Sequence, residues 1–320
     1  MKEVNILFTS IGNKVYLTKY FKRAYEKLGV TGKMVATGID ELTPGIYTAD
    51  IHYLVPRLND SNFLPRILEI CKKESINILQ PTSDDDVEFF AEHKSEFENL
   101  EVKILAPNFE TASICRDKLK FFNKLSELGI PTIKTWISLN DEIVYPCIVK
   151  PARGKAAVGV MTVNSREELE KINLDGMIIQ EKIVGTEYTI DYFADLNGEV
   201  LGIVPRIRMV VSEGESKVGR THNEPRIIEL CKKLGASLKL IGQNTIQLFV
   251  NSSGIYILEN NMRFGGGSPL GMEAGLKSPE FILKIALGEK PEADFNFTDN
   301  LLMIRYSENV FMDYDQIAHL

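Results

Sequence analysis

Between Asn244 and Pro269 the chain reads NTIQLFVNSSGIYILENNMRFGGGSP, and the residues there best suited to chemistry are Gln247, Glu259, Asn261 and Arg263. Thr245 to Val250 and Ile255 to Leu258 are apolar runs separated by Asn251, Ser252, Ser253 and Gly254. That pattern predicts an antiparallel hairpin, with Gln247 set among the apolar residues of its first strand. Just past the second strand, Glu259, Asn261 and Arg263 stand at alternate positions, which places their side chains on one face. A carboxylate and two amide oxygens are hard ligands for a divalent cation such as Mg²⁺, and a fixed guanidinium beside them suits a polyphosphate. A solvated strand edge is the other reading of the same four residues.

Two more stretches carry candidate groups. Tyr145 to Val160, YPCIVKPARGKAAVGV, reads as a buried strand that delivers Lys150 and then enters a loop of small and basic residues that includes Arg153 and Gly154. Backbone N–H groups in such a loop can cradle phosphate oxygens while the lysine adds a point charge. Gly154 and Gly159 fit a plain hairpin turn equally well, and the spacing of a P-loop is missing. Farther on, Arg206 and Arg208 lie on one face of an expected strand from Val200 to Val211. Arginine pairs grip carboxylates or phosphates, so these two are candidates for an acid substrate, with surface ion pairing as the alternative. Gly214 to His222 reads as a polar loop, and its His222 is the histidine most open to a catalytic role.

These groups must be positioned by a large framework. At 320 residues, with 44% hydrophobic and 25% charged residues, the chain suits two or three globular lobes with real cores. A net charge of −7 leaves no broad basic footprint, which argues against a nucleic acid partner. Cys71, Cys115, Cys147 and Cys231 are scattered without C-x-x-C spacing, as expected of free thiols in a reducing compartment. No apolar run is long enough to span a membrane, and the first residues lack a cleavable leader, so a cytoplasmic location is expected.

From Val4 to Leu105, short apolar strands alternate with helices, expected at Val15 to Leu28, Phe63 to Lys73 and Val87 to Phe97. Such alternation predicts a parallel sheet covered on both faces, with ligand-facing loops after the strands at Ser10 to Lys14, Asp40 and Pro81 to Asp86. A dinucleotide-binding reading fails at the first turn, which carries Gly12 where three glycines are needed. The run Asp84, Asp85 and Asp86 suits a helix N-terminus as well as a binding loop. One helix is expected from Ala112 to Leu128, another from Pro225 to Ile241, a further one from Pro279 to Leu287, and a last strand from Leu301 to Tyr306.

The order Gln247, hairpin, Glu259-x-Asn261-x-Arg263 and the glycine run Gly265 to Gly267 resembles the metal-binding end of ATP-grasp enzymes, most closely the branch like the large subunit of carbamoyl phosphate synthetase. Glu181-Lys182-x-x-Gly185-x-Glu187 resembles the adenosine site of the same family, and Lys118 precedes the turn Gly129-Ile130-Pro131-Thr132 where the family keeps a phosphate lysine. The resemblance implies an α/β and α+β protein: a parallel-sheet pre-ATP-grasp domain over residues 1–110, a two-lobed ATP-grasp domain over 111–291 with its lid at about 132–182, and a C-terminal strand and tail over 292–320. It also implies a carboxylate-amine ligase that uses ATP and Mg²⁺, with Mn²⁺ as an alternative cation.

By that match, Lys118, Lys150, Arg153 and Gly154 meet the phosphates. Glu181 and the backbone from Lys182 through Ile183 to Val184 meet adenine, and Glu187 meets the ribose. Gln247, Glu259 and Asn261 hold the metal, with Asn261, Lys150 and Arg263 at the reacting groups, and Arg206, Arg208, Gly265 and Gly266 face the acid. Ala156 and Ala157 depart from the family's more glycine- and serine-rich lid loop. The expected partners are a small carboxylic acid and an amine, with no nucleic acid and no membrane, and the helix-bearing amino-terminal domain could support a homodimer. Carbamoyl phosphate synthesis and a catalytically silent nucleotide-binding regulator are the competing readings; a single ATP site and no recognisable glutaminase argue against the first, and intact metal ligands against the second.

Overall fold

The computed structural model describes residues 2–154, 158–212 and 214–317. In the amino-terminal part, β1 (Ile6–Thr9), α1 (Val15–Leu28), β2 (Met34–Gly38), β3 (Ile51–Leu54), α2 (Phe63–Lys73), β4 (Ile78–Pro81), α3 (Asp84–Glu92), α4 (Lys94–Glu98) and β5 (Lys103–Ile104) follow in order. The five strands pair in parallel in the order β3-β2-β1-β4-β5. β1, β2 and β4 are buried throughout, as strands covered on both faces must be. β3 goes beyond the sequence expectation, and the single helix expected at Val87 to Phe97 is two helices that meet at His93.

A second difference bears on the site. The helix expected from Ala112 to Leu128 is split into α5 (Phe109–Arg116) and α6 (Lys118–Glu127). Asp117 between them is extended, and its side chain accepts from the N–H groups of Leu119 and Lys120. This N-cap starts α6 afresh and puts Lys118 in its first turn.

A four-stranded antiparallel sheet comes next: β6 (Thr135–Trp136), β7 (Cys147–Pro151), β8 (Met161–Val163) and, after α7 (Arg166–Leu169), β9 (Met177–Glu181), in the order β6-β9-β7-β8. It has a small core of its own around Trp136, Cys147, Val149 and Ile179.

The largest sheet has six antiparallel strands in the order β14-β13-β10-β11-β12-β15. They are β10 (Thr186–Ala194), β11 (Val200–Ser212), β12 (Glu215–Thr221), β13 (Gly242–Asn251), β14 (Gly254–Asn261) and β15 (Leu302–Ile304). α8 (Pro225–Leu238) joins β12 to β13, and α9 (Ser268–Ala274) and α10 (Ser278–Ala286) follow β14. The stretch expected as a polar loop, Gly214 to His222, is mostly β12, held by β11 on one side and β15 on the other. The alternation of buried Ser216, Gly219 and Thr221 with partly exposed residues is irregular, which is why the segment does not read as a strand.

Two cores weld the parts together. One joins the α2–α5 side of the parallel sheet to Tyr188, Ile190, Tyr192 and the apolar face of α8. The other joins α1 to Phe193, Phe264 and α10. The amino-terminal domain is therefore fixed to the large sheet over broad apolar surfaces, and its strand-end loops lie against the end of β14.

Candidate active site

The hairpin β13–β14 turns at Ser252 and Ser253, inside the expected turn of Asn251 to Gly254, and Glu259 and Asn261 lie inside the second strand, where the expectation put them just past it. Thr245 pairs with Asn261, Ile246 with Asn260 and Gln247 with Glu259; beyond that the register shifts, and Leu248 pairs with Ile257. The shift is a β-bulge at Leu258. Ile257 and Leu248 stay in the core at 0% exposure, while Gln247, Glu259 and Asn261 share the opposite, cleft-facing side. A bulge at this point re-aims the polar side chains without taking the apolar ones out of the core.

Glu259 is the electrostatic centre of that face. Lys118 Nζ is 3.7 Å from its Oε2 and donates to the Gly154 carbonyl at 3.2 Å. The charge of Lys150, on β7, acts on it as well, and the Lys118 N–H donates to the Ala152 carbonyl at 2.9 Å, which ties the two lysine-bearing segments. Burial opposes ionisation of Glu259, but Lys118, Lys150, a 3.1 Å bond from Asn261 Nδ2 and Arg263 outweigh it and hold the carboxyl below its usual range. Lys150 is 7% exposed; burial and the nearby Lys118 push its ammonium down to about 8, against the pull of Glu259. Two lysines around one ionised carboxylate leave a net positive pocket, and a polyphosphate is the ligand that such a pocket suits.

Gln247 Oε1 accepts from Arg208 Nη1 at 3.1 Å, and the same guanidinium pairs with Glu187 and donates to the Gly214 carbonyl at 2.8 Å. Arg208 thus sits between the residues expected at the ribose and at the metal, away from the place expected for the acid. Arg206 has a different neighbourhood again. It is 1% exposed, its Nε donates to buried Asp191 at 2.6 Å, and a Cβ on Gly267 would lie 2.6 Å from its Nη1. Arg206 therefore braces the glycine run from beneath and does not present a free guanidinium to an acid, because burial forces its charge onto Asp191.

The segment Lys182–Val184 between β9 and β10 has no regular secondary structure, and its N–H groups donate to no described protein group. The Val184 carbonyl accepts from Asn251 Nδ2 at 3.2 Å. Gly185 is required here: a Cβ would come within 2.5 Å of the Val250 carbonyl. Arg153 pairs with Glu88 of α3, while Ala156 and Ala157 lie outside the described residues. His222 Nδ1 is 2.6 Å from Tyr188 Oη. Tyr188 points into the core on the face of β10 opposite Glu187 and Thr189, which separates His222 from the cleft.

The strand-end loops of the amino-terminal domain complete the site. Asp84 Oδ2 accepts from Arg263 Nε at 3.1 Å, and its Oδ1 from the N–H of Met262 at 3.0 Å. Ser83 caps α3 through the Asp86 N–H, so the acidic run serves both the helix terminus and the cleft. Tyr16 Oη donates to the Gly265 carbonyl at 2.7 Å. Gly266 lies against Glu215 and Arg305, which are paired at 2.7 Å. Lys14, Tyr16, Glu215 and Arg305 escaped the sequence reading as site residues; for Lys14 the signal was its position in the loop after β1.

Among the described residues no three His, Cys, Asp or Glu side chains form a metal cluster. Glu259 would offer a divalent cation a carboxylate, with amide oxygens and ligand phosphates around it, a donor set that suits Mg²⁺ held together with a nucleotide.

A parallel α/β domain followed by a lid sheet and a large antiparallel sheet, with two lysines and an acid-amide pair between them, defines the ATP-grasp class. Three family models match: the PylC-like N-terminal domain over residues 6–105, the D-ala D-ala ligase C-terminus over 121–213, and the ATP-grasp of the biosynthetic pathway with Ter operon over 173–310. These matches, to ATP-grasp and ligase models along most of the chain, support an ATP-dependent carboxylate-amine ligase with the ATP-grasp fold.

Solved structures show the same fold. Biotin carboxylase from Campylobacter jejuni is 17% identical, with 93% of this chain and 74% of that one covered at a TM-score of 0.74. N5-carboxyaminoimidazole synthetase from Staphylococcus aureus, complexed with ADP, is 16% identical over 92% and 80%, at 0.72. The L-amino acid ligase from Bacillus licheniformis is 19% identical over 90% and 75%, at 0.69. No helix among the described residues is long and apolar enough to cross a membrane, and all four cysteines are free and buried.

Proposed function

We propose that the protein joins a small carboxylic acid to an amine through an acyl phosphate. The observation that carries this reading is the ionised Glu259 between Lys118 and Lys150, with Gln247 across the ladder and Arg263 at the open end of the same strand face. A carboxylate oxygen of the acid attacks the γ-phosphorus of ATP; the P–O bond to the β-phosphate breaks, and ADP leaves. The amine then attacks the acyl carbon, loses a proton, and expels phosphate. In such a transfer the protein mainly positions the reactants and neutralises charge.

Lys118 and Lys150 hold the phosphates, and Arg263, oriented by Asp84, faces the charge that develops on the acyl phosphate. Glu259, Asn261 and Gln247 would hold Mg²⁺, which supplies charge neutralisation on the phosphate oxygens. The free backbone at Lys182–Val184 suits the adenine edge, and the Glu187 carboxylate suits the ribose hydroxyls once Arg208 releases it. Family neighbours that act on small molecules support small-molecule partners, and buried free thiols fit a reducing, cytoplasmic setting.

The test is ADP release from MgATP across pools of acids and amines with hydroxylamine present. ADP that requires one acid pool, with hydroxamate formed in step, is the expected result. AMP and pyrophosphate as products would overturn the acyl phosphate.

A further inference from the structure

At the Arg263 end of the cleft, loops 10–14 and 82–86 of the amino-terminal domain face the glycine run, and nearly every charge there has a partner. Arg263 is paired with Asp84, Arg305 with Glu215, and Arg206 with Asp191. Asp86 is buried, accepting from the hydroxyls of Thr9 at 2.5 Å, Ser10 at 3.0 Å and Ser83 at 2.8 Å. Lys14 is the exception. It is half-buried where the loop enters α1; its backbone N–H is bonded to the Ile11 carbonyl at 3.0 Å, and among the described residues no carboxylate lies within 4.0 Å of its ammonium and no group accepts from it.

The charges that act on Lys14 are Arg263, Asp84, Asp86 and Glu215. Burial first, and then the Arg263 guanidinium, lower its pKa to about 8 against the pull of the three carboxylates. An ammonium held partly out of water, beside another cation and without a partner, is unfavourable in the empty protein, and an anion brought by a ligand relieves it. The nucleotide does not need this group. The ligase reading assigns the phosphates to Lys118 and Lys150, which act on Glu259.

We propose that Lys14 binds a second anionic group of the acid substrate, so that the acid is a dianion, either a dicarboxylate or a phosphorylated carboxylic acid. The proposal rests on the ligase reading above. It places the reacting carboxylate between Arg263 and the γ-phosphate, and the remote anion against Lys14 in the loop after β1.

The experiment is a binding titration of the whole chain in saturating Mg²⁺ and a non-hydrolysable ATP analogue, with glutarate and phosphonoacetate as dianionic probes and butyrate and acetate as matched monoanions. The expected result is at least tenfold tighter binding of one dianion over its monoanion, lost in Lys14→Met and retained in Lys14→Arg. Preference for glutarate identifies a dicarboxylate, and preference for phosphonoacetate a phosphorylated acid. Among the described residues the Lys14 ammonium makes no protein contact, so the Met variant should fold, with a melting temperature at or above that of the wild type and an unchanged affinity for the ATP analogue, each measured beside the titration. No dianion preference in the wild type, or a preference that survives Lys14→Met, overturns the proposal. Failure of the analogue to bind at all would instead strike the ligase reading, which keeps the two outcomes separate.

Discussion

Replacing Glu259 with Gln keeps the shape of the side chain and removes the one carboxylate that lies between Lys118 and Lys150. With Lys118 Nζ 3.7 Å from Glu259 Oε2, the pair is worth about 4 kcal/mol at an effective dielectric of 20. Side-chain exposures of 14% and 22% and the ordering of a long lysine reduce that figure. The variant should therefore lose about 2 to 3 kcal/mol of stability, below the about 3 to 5 kcal/mol of breaking a fully buried pair because this one is partly exposed.

The same loss has a second signature. Two unneutralised ammonium groups attract phosphate, so ATP without metal should bind Glu259→Gln at least as tightly as it binds the wild type and should restore most of the lost stability. Mg²⁺-dependent ADP release should fall by a factor on the order of 10² to 10³, as when one preorganised charge is removed from a transfer site. The assays are thermal and denaturant unfolding with and without metal-free ATP, and ADP release against Mg²⁺ concentration. A variant as stable as the wild type, with unchanged dependence on Mg²⁺, would refute both the electrostatic account of the pocket and the metal assignment.

Gln247→Glu should place a second carboxylate across the ladder from Glu259 and tighten Mn²⁺ binding, measured calorimetrically with ADP present, by roughly tenfold; unchanged affinity would remove Gln247 from the metal site. Asp191→Asn should strand the Arg206 charge in the core and cost about 3 to 5 kcal/mol in unfolding free energy, because the pair is 1% and 0% exposed; a loss below about 1 kcal/mol would refute the bracing role of that pair. For Lys14, whose folded pKa of about 8 lies below the 10.5 of the free side chain, anion affinity should be flat below about pH 7 and fall roughly tenfold per pH unit above 8. The sign for stability is opposite: between 8 and 10.5 the unfolded chain holds a proton that the folded chain has released, so Lys14 contributes stability that rises with pH, and this contribution should be absent in Lys14→Met.

Much of the site was legible in the residues themselves. Period-two spacing of Glu259, Asn261 and Arg263, the turn after Val250, and a lysine delivered by an apolar strand are local facts, and local sequence encodes them because side-chain direction follows backbone period. The parallel domain was legible for the same reason, through alternating apolar runs. The sequence also held the departure from expectation at Asp117, a residue that starts a helix by accepting its first N–H groups; the apolar periodicity running on through it concealed the break.

Only the tertiary structure decided which polar groups meet. The bulge at Leu258 turns Glu259 and Asn261 toward the cleft while Ile257 stays in the core, and pairing with β13 sets that register. Arg206 and Arg208 are equivalent by spacing, yet one is neutralised in the core by Asp191 and the other spans Glu187 and Gln247, because β10 and β13 present different residues beside them. Lys14 and Asp84 reach Arg263 across some 180 to 250 residues of sequence, and docking of the amino-terminal domain brings them there. Sequence alone determined the types of groups available and their local direction; long-range packing, which no local pattern records, decided their partners and therefore their charge, burial and role.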